Sequence, residues 1–486
     1  MRSRVSKTQF INGTIWKLVE TVMTVGTTFI LSIILARLLD AEDFGIIALA
    51  NVVINFSEII LQGAFSAPLI HKNNVDDTDY TSVLIFSIIS AIALYIVVFL
   101  TAPVFADVYG SEPLTLILRV ISIIFVFQAV GSVRIAIISR DMKFKTLSIC
   151  TIVASILSGS IGIALAMLHY GVWALVVQKI SYQAILNIVL FSVINWKPKI
   201  TGASFERVKE LLSFGSRVLG SSILSYISDS SINIVTGKAY SVSALGYSSK
   251  GVQYPCDVSI FSFQAVATSL LPTLSSYQTD KESQKRIMRK VVSVVSYILF
   301  PMMLGMFAIS KQLIVFLLTD KWLGSVPFMQ IACIYYCATP IMLINIQLYH
   351  SRGNGKVRLY IEIVKLVCTL SCLYIGIGVL NCRLETIFVF RTIIEITIAI
   401  LSIIGLKNAI DYSMLEYLND LKTPLIISVI MAIVVAYIGK YFVLKNYMVL
   451  IIQVFIGILI YVFMSFLMKP KGYIELLLII KGRFTK

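Results

Sequence analysis

The residues with chemistry to offer are ionisable groups inside long apolar runs: Lys17, Glu20, Glu58, Arg119, Lys179, Arg217, Asp229, Lys250, Asp257, Glu362, Lys365, Arg391 and Glu395. A charge at mid-bilayer costs about 2.5–3.5 kcal/mol or more, so such residues face a cavity or a partner. Helical spacing puts Lys17, Glu20, Thr24, Thr27 and Thr28 on one face. It puts Arg217, Ser221, Ser225, Ser228 and Asp229 on a second, and Lys250, Gln253, Tyr254 and Asp257 on a third. Each stripe mixes charge with hydroxyls or amides. Their cations suit an anionic group, and Asp229, Asp257 and Glu20 are candidates to carry a coupling proton or Na⁺.

The same residues admit structural uses. Lys17 lies near a helix end and can snorkel to the interface. Glu20 can pair with Lys17 and Asp257 with Lys250, and both aspartates can join helices by hydrogen bonds. Glu362 and Lys365 lie one turn apart, as do Arg391 and Glu395, and opposite charges at that spacing satisfy each other.

These groups must be positioned by membrane helices. The chain has 486 residues, 58% hydrophobic and 14% charged, with mean hydropathy +0.90. A soluble domain is about 25% charged. Tyr447 to Met468 and Ser82 to Pro103 are uncharged and match the roughly 20 apolar residues that a spanning helix needs. Neither alternates as a barrel strand would. Arg2, Arg4 and Lys7 precede a hydrophobic stretch too long for a cleavable signal peptide. Spans are expected near 12–38, 44–65, 82–108, 112–136, 144–168, 172–195, 210–236, 243–275, 288–318, 325–350, 356–380, 384–406, 422–440 and 447–468.

Assigning loops alternately from an inside N-terminus leaves roughly 27 Lys and Arg inside and roughly 7 outside. The bias predicts both termini in the cytoplasm and accounts for most of the +16 net charge as topology rather than nucleic-acid binding. An internal echo accompanies it. Arg37 to Gly45 and Lys238 to Gly246 share one cation-to-glycine spacing, and Ser139-Arg140 is echoed by Ser351-Arg352. Spans 1–6 thus repeat as 7–12. The expected fold is an all-α polytopic membrane protein of about fourteen transmembrane helices. Two parallel six-helix lobes, 1–200 and 201–410, are followed by two further helices and a cytoplasmic tail in 411–486. A parallel repeat with the site between its halves is a transporter architecture.

Three segments carry a resemblance. They are Leu35-Ala-Arg37-Leu-Leu-Asp40-Ala-Glu-Asp43-Phe44-Gly45, then Ile138-Ser-Arg140-Asp141-Met-Lys143-Phe144-Lys145, and Leu245-Gly246-Tyr247. On these, the chain resembles the polysaccharide (Wzx-type) flippases of the multidrug/oligosaccharidyl-lipid/polysaccharide exporter superfamily. The resemblance covers essentially the whole chain and points to the capsule, lipopolysaccharide O-antigen and teichuronic-acid branch. It implies a non-enzymatic protein of the bacterial inner (plasma) membrane. Its substrate would be an undecaprenyl-pyrophosphate-linked oligosaccharide, moved from the inner to the outer leaflet. It also implies membrane lipids, a polysaccharide polymerase and a chain-length regulator as partners, with no nucleic acid and no cofactor beyond a possible H⁺ or Na⁺.

Given that substrate, Lys17, Arg217 and Lys250 are the candidates to hold the pyrophosphate, with Arg119 and Lys179 as further members. Charge-assisted bonds to phosphate are strong in a low dielectric, and guanidinium matches phosphate bidentately. Ser221, Ser225, Gln253 and Tyr254 would meet sugar hydroxyls. In the two-lobed reading the stripes of spans 1, 7 and 8 surround one cleft.

Other signals carry little. The seven cysteines fall mostly in spans, and His71, His169 and His350 are scattered, so no metal set is expected. No phosphate-binding loop for ATP occurs. The basic segment Tyr277 to Lys290 fits either an amphipathic surface helix on anionic lipid or an ordinary inside-positive loop. A drug exporter of the same superfamily is the alternative function, and it would want an apolar, aromatic cavity with few fixed cations. A membrane polysaccharide polymerase would want a sizeable external loop, which is absent from the span map.

Overall fold

The structure is a computed structural model that describes residues 7–71, 75–141, 143–198, 204–441 and 445–484. Near the start of the first helix and of the seventh, only the backbone course is described. Helices alone make up the regular structure of the described residues. In chain order they are α1 Lys7–Leu38, α2 Ala41–Leu61, α3 Asp77–Tyr109, α4 Pro113–Arg140, α5 Phe144–Met167, α6 Val172–Val193 and α7 Phe205–Ala239. Then come α8 Val242–Ser276, α9 Lys281–Leu318, α10 Asp320–Ser351, α11 Lys356–Val379, α12 Leu384–Ile410, α13 Met414–Tyr441, α14 Asn446–Met468 and α15 Lys471–Phe484. Eleven of these, α2–α6 and α9–α14, are long and apolar enough to span a bilayer among the described residues. Adding α1, α7 and α8, of 32, 35 and 35 residues, is consistent with fourteen spans.

Local chemistry sets the helix starts. Asp76 caps α3 by accepting from the Asp79 amide at 2.8 Å, and its own amide donates to the Asp79 carboxylate at 3.3 Å. Such a reciprocal box satisfies two amides that have no intrahelical partner. Asp280 caps α9 with the forward bond alone, accepting from the Ser283 amide at 3.0 Å. Gly110 ends α3 in the left-handed region at φ +60°, where a side chain would be strained.

The chain divides into two compact units, Met1–Gly246 and Tyr247–Lys486. The first unit explains the sequence echo. A Cβ on Gly45 would collide with the Val242 carbonyl oxygen, and a Cβ on Gly246 with the Ala41 carbonyl oxygen. The beginnings of α2 and α8 therefore touch backbone to backbone, each through its own glycine. Gly237, at the end of α7, admits Leu49 and the Tyr109 ring, whose side-chain atoms lie 3.1 and 3.2 Å from a virtual Cβ. Tyr109 then donates to the Ile234 carbonyl at 3.1 Å, and Tyr226 of α7 to that of Val52 at 2.7 Å.

The second unit is organised around one buried carboxylate. The Asp420 side chain of α13 is 0% exposed. It accepts from Arg289 of α9 through Nε at 2.8 Å and Nη2 at 3.1 Å, from Lys471 of α15 at 2.5 Å and from the Tyr412 hydroxyl at 2.8 Å. Lys285 pairs with Glu416 at 2.8 Å and Lys290 with Glu475 at 2.6 Å. The basic segment before span 9 is therefore the first three turns of α9, and Lys285, Arg289 and Lys290 are engaged by acids on α13 and α15. Above this layer, Tyr417 donates to Asn345 at 3.1 Å, and Asn345 donates to Ser402 at 2.9 Å.

Two outcomes check these packing arguments. Gly45→Ala and Gly246→Ala should each cost about 1–3 kcal/mol by overpacking. Gly26→Ala, with nothing within 4 Å of its virtual Cβ, should be neutral or slightly stabilising. Melting curves of the purified protein in detergent compare them, and equal melting temperatures for all three would refute the close contact. Asp420→Asn should cost about 3 kcal/mol, the low end for breaking a buried pair, because the partly exposed Arg289 and Lys471 can turn to water. A change below about 0.5 kcal/mol would remove Asp420 as an organising group.

Candidate functional site

Each unit carries polar groups inside its helices. In the first, α2, α4, α5, α6 and α7 line a half-open cavity of about 550 Å³. Glu58, Gln62 and Ser66 line it from α2 and the π-helical turn that follows, Gln128 and Ser132 from α4, and Thr151 from α5. Tyr182, Gln183 and Asn187 of α6 and Ser222 of α7 complete the polar lining. Gln62 Nε2 donates to Glu58 Oε1 at 2.7 Å, and the Lys179 ammonium is close enough for its charge to act on Glu58. Glu58 is the one carboxylate among the lining residues, and Lys179 offsets its charge from outside that lining.

In the second unit, Lys250 is 4% exposed and donates to Gln253 Oε1 at 3.1 Å. Asp257, one turn further along α8, feels the Lys250 charge and accepts from Gln253. Tyr254 is buried beside them. The structure therefore gathers three of the four stripe residues of α8 into one acid–amide–ammonium chain. Gly251 lets this part of α8 pack on the start of α10, where the Ser325 carbonyl oxygen would lie 2.5 Å from a virtual Cβ.

The remaining candidates are more dispersed. Lys17, Glu20, Arg217 and Ser221 lie on α1 and α7, with side chains outside the described residues. Ser225 and Asp229 are half-buried on α7. Asp229 acts on the ring of Tyr226, which α7 uses to hold α2.

Arg119 has a local task. Pro103 has no N–H, so the carbonyl four residues earlier, at Phe99, loses its helical donor. Arg119 Nε donates to that oxygen at 3.3 Å, and its guanidinium lies 4.3 Å from the Phe99 ring centroid. The second unit repeats the device: Pro301 frees the carbonyl of Tyr297, and the Tyr461 hydroxyl donates to it at 2.7 Å.

Among the structural pairs expected from sequence, the structure adds a link between helices. Lys365 of α11 reaches Glu395 of α12 at 3.4 Å, Thr339 donates to the same carboxylate at 3.1 Å, and Arg391 stacks 4.9 Å from the Tyr335 ring. Sequence reading missed Arg134, a buried guanidinium 3.3 Å from the Phe191 ring centroid and 5.8 Å from that of Trp196. It also missed the polar amides of α4 and α6. An isolated Gln or Asn in an apolar run was the available signal.

A multi-helical membrane protein with polar groups inside each unit is the class these observations define. The fold is similar to that of the lipid II flippase MurJ in an inward closed conformation, with a TM-score of 0.74 and 17% identity, covering 94% of this chain and 98% of that one. It is also similar to an inward-facing multidrug resistance MATE family transporter of the MOP superfamily, at TM-score 0.64 and 13% identity over 82% of this chain and 98% of the transporter. Residues 34–327, more than half of the sequence, match the family described as polysaccharide biosynthesis protein, and the chain belongs to that family. Among its relatives, the succinoglycan biosynthesis transport protein ExoT of Rhizobium meliloti is 23% identical over 88% of this chain and 86% of its own length. The teichuronic acid biosynthesis protein TuaB of Bacillus subtilis is 22% identical over 88% and 89%. The lipopolysaccharide biosynthesis protein WzxC of Escherichia coli is 22% identical over 67% and 66%.

Arg119→Ala should cost about 1–2 kcal/mol, the value of a charge-assisted hydrogen bond to a partly exposed partner. In a Pro103→Ala background the restored backbone amide takes the Phe99 carbonyl, and the cost should shrink. Equal costs in both backgrounds, measured by thermal unfolding, would show that Arg119 does not serve that carbonyl.

Proposed function

We propose that this protein moves a lipid-linked oligosaccharide, attached through undecaprenyl pyrophosphate, from the cytoplasmic to the outer leaflet of a bacterial inner membrane. It does so by alternating access, with both chain termini in the cytoplasm. The observation that carries this reading is membership of the polysaccharide biosynthesis protein family. Three relatives named for succinoglycan, teichuronic acid and lipopolysaccharide biosynthesis, and a fold similar to a lipid II flippase, point the same way. The interior chemistry agrees with it. A carrier of apolar drugs has no use for a buried ammonium–amide–carboxylate chain or an amide-lined cavity, whereas a sugar pyrophosphate requires cations and many hydrogen-bonding groups.

In this reading Lys17, Arg217 and Lys250 hold the pyrophosphate, while Lys179 is left to Glu58. Gln253, Tyr254, Ser221 and Ser225 meet the sugars. Asp257 exchanges its hold on Lys250 and Gln253 for a proton or Na⁺, and Asp229 or Glu20 offers the equivalent in the first unit. A polymerase and a chain-length regulator use the product on the outer side.

The test is surface polysaccharide in bacteria lacking their own flippase, across hosts with different repeat units. The wild-type protein should restore it in at least one host. Arg217→Ala or Lys250→Ala should lower it about tenfold or more at equal protein level, since a hydrogen bond to a charged group is worth about 1.5–3 kcal/mol. Full restoration by both variants removes these cations from the site. Failure of the wild type in every host removes the flippase reading.

A further inference from the structure

The polar cavity of the first unit has a feature that helix packing does not require. Asn187 is 5% exposed, and its Nδ2 donates to the carbonyls of Phe127 at 2.9 Å and Gln183 at 2.8 Å. These bonds fix the orientation of the amide, and its Oδ1 has no partner. Gln128 is 8% exposed and has one end of its amide 3.1 Å from the Ser57 hydroxyl. Its other end has no partner. A lone buried polar atom costs about 1–3 kcal/mol, and these two stand on facing helices in the wall of one cavity. Gly131 sits beneath the Asn187 amide, where a Cβ would lie 3.0 Å from Oδ1. The bare glycine lets the Asn187 amide pack closely against α4 in the cavity wall.

The contents of the walls select the ligand. At about 550 Å³, the cavity lies within the roughly 300–1,000 Å³ of small-molecule sites. It is far too roomy for a bare cation, which needs oxygens converging at about 2.3–2.6 Å. Glu58 and Lys179 offset each other, so no net charge favours an anion. Set among the apolar side chains of Ile59, Ile70, Ile135, Leu147 and Leu186, amides, hydroxyls and the Tyr182 ring offer both donors and acceptors to a neutral, many-hydroxyl ligand with apolar faces. We infer that this cavity is a monosaccharide subsite that reads one sugar of the head group, with the Asn187 and Gln128 amides of its wall turning their unpaired atoms to its hydroxyls. The inference rests on the flippase reading and deepens it. The pyrophosphate cations would set general affinity, and this cavity would set which repeat unit is accepted.

The test uses the full-length protein in lipid nanodiscs. Its probes are undecaprenyl pyrophosphate and three undecaprenyl-pyrophosphate-linked tetrasaccharides that differ in first sugar, N-acetylglucosamine, glucose or galactose. Binding is followed by native mass spectrometry. At least one tetrasaccharide lipid should bind about tenfold or more tighter than the bare lipid, the gain expected of two or three buried hydrogen bonds. Gly131→Leu, which fills the cavity, and Asn187→Leu should erase that gain and leave bare-lipid affinity unchanged. Gln128→Leu gives the same comparison should either variant fail to fold. Retention of the gain in the folded variants overturns the subsite, as does absence of a gain with all three sugars in a wild type that binds the bare lipid. A wild type that binds none of the four lipids rejects the flippase reading and the subsite together.

Discussion

In lipid no water is at hand to satisfy a stray carbonyl or charge, and this single constraint decides most of what the interior helices do. Pro103 and Pro301 show its reach. Each removes a backbone donor inside a spanning helix, and each freed carbonyl is met by a side chain from another helix, Arg119 or Tyr461. Asp420 obeys the same rule from the opposite direction. Its buried charge draws in two cations and a phenol, and so joins α9, α13, α15 and the turn after α12. Satisfying a polar group and tying helices together are here one act.

Close approach is the second device, and it depends on the first. Helices in lipid gain no hydrophobic drive from each other, so contact must come from fit and polar bonds. Gly45 and Gly246 allow α2 and α8 to meet at their backbones, each opposite the first turn of the other helix. Two segments with the same cation-to-glycine spacing thus occupy reciprocal places in one contact. The repeat visible in sequence is the trace of this reciprocity. A shorter separation than a side chain permits is needed at one position in each copy, and only glycine supplies it.

The all-helical membrane fold was legible because hydropathy is a one-dimensional signal: run length finds the spans. Side-chain pairing was much less legible. Spacing along a helix says which face a residue shares, as for Lys250, Gln253 and Asp257, which the structure does link. It does not say which helix lies opposite. The pairing of Lys365 with Glu395, the stacking of Arg119 on Phe99 and the engagement of Arg289 by Asp420 all depend on a neighbour far away in sequence. Glu58 and Lys179, on α2 and α6, were each noted alone for the same reason.

Separating satisfied charges from open polar groups changes how the interior should be read. Arg119, Arg289, Lys285 and Lys365 have bonds that account for their presence without a ligand. Counting cations in spans therefore overstates the surface available to a pyrophosphate. The amides of Gln128 and Asn187 are the reverse case. They attract no attention by charge, yet each retains an unused hydrogen-bonding atom in the wall of a cavity. An amide left unfinished at a cavity is stronger evidence of a transient guest than a charge already paired. Recognition of a neutral sugar would then be assigned to side chains that carry no charge.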